Sequence, residues 1–260
     1  MISHEQLTHF VERSDTGIIT LTERHAGRIV ELIQQGLGDW AKLSIYSSEG
    51  IDLHFRQLLR ESPGNGYHYF GYFQDGGLIG YIEWRTLVSS QWFLNNMDVA
   101  EQAQGMGIGR KLVAHGLQVA QERGMAGSML DVYRSNAKVL SWYETFGYRS
   151  QSQTYIYEFT PPDAVGTALY GIDNLREAIE TYEERGYAML ELSGAQRHTV
   201  GLPNANYFVV RKLAEVADGA LIGAVLQAFP GRRGLFVSDC ELSSPKLKLL
   251  EISVRMELVL

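Results

Sequence analysis

An α/β (α+β) protein is predicted, with a mixed sheet flanked by helices and an additional C-terminal α/β subdomain, and three stretches carry that reading. Residues 67–74 and 78–87 form an apolar, aromatic hairpin turned at Asp75-Gly76-Gly77. Residues 92–99 read as a strand that runs into a loop of alternating glycines, Gly105, Gly107 and Gly109, and then into an amphipathic helix. Beyond residue 160 a further helix and several strand-like runs continue the alternation.

Residues 16–21 read as a strand. Thr22 is placed to N-cap a helix reaching about residue 35, with Ile29, Val30, Leu32 and Ile33 inward. Gly36-Leu37-Gly38 breaks it, and a polar-aromatic segment with Asp39, Trp40, Tyr46 and Glu49 leads to a second helix over 51–60. Ser62-Pro63-Gly64-Asn65-Gly66 is a loop before the hairpin. The helix after the glycines carries Leu112, Val113, Gly116, Leu117 and Ala120 on one face and stops at Gly124. A short strand over 128–132, a helix over 136–145 ending at Gly147, and strand material over 148–159 complete the order βααβββαβαβ.

Pro161-Pro162-Asp163 marks an expected boundary between a domain of residues 1–160 and a subdomain of residues 163–260. In the latter, Asn174 and Glu177 have the spacing of a capping box for a helix ending at Gly186. Strands are expected at 187–192, 207–213, 234–240 and 248–258. Tyr182-Glu183-Glu184-Arg185-Gly186-Tyr187 repeats the form of Tyr143-Glu144-Thr145-Phe146-Gly147-Tyr148. The echo reads either as a degenerate half-copy of the first fold or as a generic helix end followed by a strand.

With 23 basic and 30 acidic residues, the net charge of −7 argues against a nucleic-acid groove. The single cysteine, Cys240, forbids an intramolecular disulfide, which suits a reducing cytoplasm. Residues 1–13 are polar and do not resemble a secretory leader. The longest apolar run, 220–229, is far too short to cross a membrane. Seven histidines lack metal-ligand spacing, so no metal is expected. No Gly-x-Ser-x-Gly elbow is present either.

A strand, a glycine loop and a helix N-terminus make an anion site, because the first helical N–H groups lack internal partners and the peptide dipoles place positive potential there. No Walker run follows these glycines, and their spacing of two does not fit the dinucleotide fingerprint. The pattern does resemble the pyrophosphate loop of the GCN5-related N-acetyltransferases (GNAT), Gln/Arg-x-x-Gly-x-Gly/Ala, through Gln104, Gly107 and Gly109 after Val99. Glu101 stands where many relatives have proline. A second match, Asn136-Ala137 followed by Tyr143-Glu144-Thr145-Phe146-Gly147-Tyr148, falls at family-like spacing, and the resemblance covers about residues 10–160.

The resemblance implies the GNAT acyl-CoA N-acyltransferase fold and acetyl-CoA as co-substrate. Backbone N–H groups of Gln104, Gly105, Met106, Gly107, Ile108, Gly109 and Arg110 would hold the pyrophosphate. The strand edge at Met97 and Val99 would pair with the pantetheine amides, one of its N–H groups polarising the thioester carbonyl. Asn136 would contact the pantetheine arm, or serve simply as an N-cap. Tyr143 would meet the leaving sulfur, its alternative being a core aromatic. Glu83 and Asp98 are candidates to take the proton of the attacking amine, each also readable as a solvated strand carboxylate. Strand alternation sets Asp98 opposite Met97 and Val99.

These residues point to an N-acetyltransferase acting by direct attack in a ternary complex on a small-molecule or protein amine, without nucleic-acid or membrane partners. Acceptor choice is expected in residues 36–66 and in the C-terminal part, which could also form a homodimer interface. The competing reading is an acyl-CoA-binding regulatory or structural module without significant turnover.

Overall fold

The computed structural model describes residues 16–36, 43–161, 170–194 and 196–260. The polar start of the chain, Leu37 and Gly38 of the expected break, Asp39, Trp40 and the Pro162-Asp163 boundary lie outside them. Strand β1 (Gly17–Thr20) precedes helices α1 (Ala26–Gly36) and α2 (Ile51–Glu61), and β2 (Tyr67–Gln74), β3 (Gly77–Leu87) and β4 (Gln91–Val99) form an antiparallel meander. Then come α3 (Ile108–Glu122), β5 (Gly127–Tyr133), α4 (Ala137–Glu144) and β6 (Arg149–Phe159). The C-terminal part comprises β7 (Gly171–Ile172), α5 (Leu175–Arg185), β8 (Ala188–Ser193), β9 (Arg197–Leu202), β10 (Tyr207–Val210), α6 (Leu213–Ala217), α7 (Gly219–Ala228), β11 (Arg233–Ser238) and β12 (Leu247–Val259).

The strands of the described residues form one sheet in the order β1-β2-β3-β4-β5-β12-β6-β11-β10-β9-β8-β7. Cross-strand pairing and the two-residue period put Tyr69, Tyr81, Glu83, Asn96 and Asp98 on one face. That face is covered by α1 and α2, with the Phe55 ring against Tyr69 and Tyr81. Gly80 and Trp84 lie on the other face, where α3 packs through Ile108 and Gly116.

Two hydrophobic cores result, and the strands cross between them. Tyr157 and Phe159 of β6 belong to the second core, while Val254 and Met256 of β12 belong to the first. Strand β12 runs antiparallel to both β5 and β6, supplying each with its missing neighbour. In the C-terminal part, β10 and β11 are parallel and joined through α6 and α7, as β4 and β5 are joined through α3. The halves also touch where α2 begins and α5 ends. A Cβ on Gly50 would lie 2.3 Å from Arg185 Cα, and Tyr187 shares a 2.7 Å hydrogen bond with His54 Nδ1.

Several elements depart from expectation for local reasons. The Thr22 N–H donates to His25 Nδ1 at 2.9 Å, tightening residues 23–25 into a 3₁₀ turn, so α1 starts at Ala26. Asn174 does not form the capping box: its side chain donates to Met189 O and accepts from Glu191 N, docking the start of α5 on β8. The strand expected over 207–213 ends at Val210, because the Glu215 carboxylate accepts the N–H groups of Arg211 and Lys212 and turns the chain into α6. The apolar run at 220–229 is mostly the buried helix α7. Strand β9 carries an inward histidine, His198, which masked its alternation with Val200 and Leu202.

Candidate active site

The glycine loop closes as the sequence leads one to expect. Gly105 and Gly107 have φ of 80° and 76°, a left-handed conformation that a side chain would strain, and nothing lies within 4 Å of a Cβ added at either. Helix α3 starts at Ile108 with no side-chain cap, so its first N–H groups point into open space. Gln104 reaches back to donate to Val99 O at 3.3 Å. The Arg110 side chain turns away, donating to Thr145 Oγ1 at 3.1 Å and lying over the Phe146 ring, so what it offers the loop is its N–H. Met106 is exposed.

Parallel strands β4 and β5 pair only from Gln91 to Leu94 against Gly127 to Leu130, and then separate. A register shift between Glu83 and Trp84 on β3, opposite residues 94–96, marks the point where β4 kinks away. Beyond it, the β5-facing edge of Met97–Val99 is free of strand partners. The Met97 N–H donates to Asn96 Oδ1 at 2.7 Å, so that amide must swing aside before the N–H can serve another acceptor. The gap opens into a cavity of about 390 Å³ lined by Tyr46, Asn95, Asn96, Asp131, Tyr133 and Ser253, among others. Strand β12 helps to build it: Ser253 lines it, and Arg255 pairs in bidentate fashion with Asp131.

Beneath this cavity lies a buried polar chamber. Glu83 is 2 % exposed, and its Oε1 accepts from Asn95 Nδ2 at 2.7 Å, the same nitrogen lying 3.1 Å from the Tyr46 hydroxyl. Five of the nine buried side-chain polar atoms that lack a partner among the described residues gather here: Tyr69 OH, Tyr81 OH, Glu83 Oε2, Asn96 Nδ2 and Asp98 Oδ2. Such a concentration marks a place built to receive water or a polar ligand. Burial pushes the Glu83 carboxyl up to about 7, with the Asn95 hydrogen bond opposing it. Burial alone pushes Asp98 up to about 8. Neither is a solvated strand carboxylate. Asp98 lies against Gly36 and Met97 against Gly109, on opposite faces of the sheet.

Tyr143 is 5 % exposed on α4, packed against Trp142 and Tyr148 at ring separations of 4.9 and 5.7 Å. Trp142 and the Met97 methyl both stand 3.6 Å from where a Cβ on Gly109 would be, which holds α4 over the start of α3. Burial foremost, then the charges of Tyr148 and Asp98, raises the Tyr143 phenol, so it stays protonated. Asn136 caps α4 by accepting from Val139 N at 3.3 Å, and its amide nitrogen makes no hydrogen bond among the described residues. Glu251 of β12 accepts from the Ser135 hydroxyl and steadies the turn before it.

The predicted positions thus fall into three neighbouring groups: the loop with Gln104 to Arg110, the chamber with Glu83 and Asp98, and α4 with Asn136 and Tyr143. Sequence reasoning passed over Tyr69, Tyr81, Asn95 and Asn96. The signal for Tyr81 was its two-residue spacing from Glu83 on β3, and for Tyr69 its place opposite Glu83 across the hairpin.

The corresponding place in the C-terminal part is closed to an anion. Asp218 caps α7, accepting from Ala220 N at 3.1 Å and Leu221 N at 3.0 Å, and the same carboxylate accepts from the Tyr170 hydroxyl. Its bonds to those N–H groups and to Tyr170 hold its carboxyl low against an opposing burial effect. A phosphate would meet a carboxylate there. No group of three or more metal-ligating side chains occurs among the described residues, and none of their helices is long and apolar enough to cross a membrane.

Residues 35–148 match the family model described as the acetyltransferase (GNAT) family. Over 89 residues the chain is 33% identical to the mycothiol acetyltransferase of Thermomonospora curvata, a match covering 34% of this chain and 30% of that relative. The chain therefore spans less than a third of the curated relative it matches. A tandem GNAT protein from the clavulanic acid biosynthesis pathway superposes with a TM-score of 0.71 at 14% identity, covering 94% of this chain and 98% of that one. A GCN5-related N-acetyltransferase from Sphaerobacter thermophilus superposes with a TM-score of 0.57 at 16% identity, covering 95% and 96%. At these identities the likeness concerns fold, and it extends well past residue 160.

Proposed function

We propose that this protein transfers the acetyl group of acetyl-CoA to an amine of a small molecule or protein, by direct attack in a ternary complex, a reading supported by the match of residues 35–148 to the acetyltransferase (GNAT) family model. Residues 1–160 would carry the chemistry and 163–260 would shape the acceptor side. One observation carries the reading: the uncapped start of α3 adjoins both the divergence of β4 and β5 and a buried chamber holding two basic carboxylates.

The N–H groups of Gly105 and of Gly107 to Arg110 would bind the pyrophosphate, the free edge at Met97 and Val99 would pair with the pantetheine, and acetyl-CoA supplies the activated acyl group. Glu83, directly or through a water held by Asn95, would take a proton from the amine. A lysine-like ammonium of pKa about 10.4 lies about 8 kcal/mol above an ordinary glutamate in proton transfer. Against a carboxyl at about 7 the gap shrinks to about 5 kcal/mol. As the C–N bond forms and the C–S bond breaks, Tyr143 would donate a hydrogen bond to the developing thiolate. Its raised phenol favours donation over full proton transfer.

Thermal unfolding with and without acetyl-CoA is the first test. Saturation at a hundred times the dissociation constant should add about 2.7 kcal/mol to stability. Absence of a shift would sink the reading. Given binding, amine-dependent thiol release separates an enzyme from a binding module. Tyr143→Phe should lower kcat about ten- to a hundredfold, the worth of a hydrogen bond to a charged group, with little change in acetyl-CoA affinity. Full turnover by that variant would remove Tyr143 from the mechanism.

A further inference from the structure

A second cavity, of about 460 Å³, adjoins the one beneath the strand divergence, and Ser44 and Ile156 line both. Its walls come from both halves of the chain, which are tied at this point by Asn204 Nδ2 donating to Ser44 O at 3.2 Å. The lining is largely apolar, with Ile45, Leu202, Pro203, Val209, Leu235 and Val237 prominent. Arg211 is its one charged residue among the described ones. The Arg211 side chain is exposed and takes part in none of the ion pairs of the described residues; only its backbone N–H is engaged, by Glu215. The first cavity has the opposite character, with Asn95, Asn96, Tyr46 and Asp131 around its mouth and Glu83 below. The two together run from a polar end, where Glu83 lies buried below and Asp131 is already paired with Arg255, through an apolar middle to Arg211, which also lines a neighbouring cavity with Asp239.

We propose that the two cavities form one acceptor groove for an amphiphilic amino acid, its primary amine at Glu83 and Asn95, its apolar body along Val209 and Leu235, and its carboxylate on Arg211. The inference rests on the acetyl-transfer reading for the fate of the amine, but not for binding. Competing acceptors fit worse on physical grounds. A polyamine would set its second ammonium against Arg211, and an amino sugar would leave hydroxyls unpaired against the apolar wall. A carboxylate would gain a charge-assisted, bidentate partner.

The test is calorimetric titration of the full chain with unbranched ω-amino carboxylates of increasing length, each compared with its ω-amino carboxamide. Affinity should peak at one chain length. There the carboxylate should bind about ten- to a hundredfold tighter than the carboxamide. Arg211→Gln should bring that ratio to about one, and Arg211→Lys should keep part of it. Arg211 is exposed, so neither variant threatens folding. Equal binding of carboxylate and carboxamide by the wild type, a ratio that survives in Arg211→Gln, or no binding at any length would each overturn the proposal. Acetyl-CoA titrated separately distinguishes the two failures. A chain that ignores acetyl-CoA yet shows the Arg211-dependent ratio loses the transferase reading and keeps the groove.

Discussion

Burial holds Glu83 at about 7 and Asp98 at about 8, and both effects reach activity and stability. If Glu83 takes the amine proton, kcat/KM for a fixed amine should rise with pH through about 7. Glu83→Gln should remove that limb and lower kcat/KM about a hundredfold or more, as loss of a general base does. A variant with an unaltered pH–rate profile would exclude Glu83 as the base. For stability, the native state keeps protons on Glu83 and Asp98 at pH values where the unfolded chain has released them. Their contribution therefore falls as pH rises from about 4 towards 8. Half-buried His54 and buried His68, held neutral down to about 4, act oppositely, since the unfolded chain binds their protons below about 6.5. Between pH 6.5 and 8 the carboxylates dominate these four, and urea denaturation should show the wild type losing stability. Asp98→Asn should recover about 1–2 kcal/mol of that loss. A wild type equally stable at both ends of the window would contradict the raised carboxylates.

Among elements, the start of α3 separates a ligand role from a structural one. Gly107→Ala would strain a left-handed residue by about 1–2 kcal/mol and put a methyl into the open space before the helix. Gly124, at the other end of the helix, has φ of 67° and equally open surroundings. Both variants should lose similar stability, but only Gly107→Ala should weaken acetyl-CoA binding, by about tenfold or more. Equal affinities in the two would mean that the loop does not hold the pyrophosphate. Helix α7 supplies the contrast within the same chain: Asp218 already satisfies its first N–H groups, so a repeated architecture does not bring a repeated anion site. That difference rests on a side chain at one cap, while the strand order around it is kept.

Over the whole molecule, the crossing of β6 and β12 between cores makes the halves interdependent. A chain of residues 1–160 lacks the strand that pairs with both β5 and β6 and lacks Val254 and Met256 from its core. It should show no cooperative urea transition, whereas the full chain should unfold in one transition by both far-UV dichroism and tryptophan fluorescence. A cooperative, native-like 1–160 fragment would show that β12 is dispensable.

Much of this fold was legible because its signals are short-range. The Asp75-Gly76 turn, the positive-φ glycines before α3 and the apolar face of α3 each depend on residues a few positions apart, and local sterics and period decide them. Candidate residues Glu83, Asp98 and Tyr143 could be named from motif and strand, but the two carboxylates acquire their basicity only from what covers them. Their chamber needs Tyr69 and Tyr81 from the hairpin strands, Asn95 and Asn96 from β4, and α1 and α2 laid over them. The place of β12 between β5 and β6, and of Arg211 beside Ile45, was likewise decided by tertiary structure. Periodicity reports which face of a strand is buried, while its partner is chosen by the burial and hydrogen bonding of the whole chain at once.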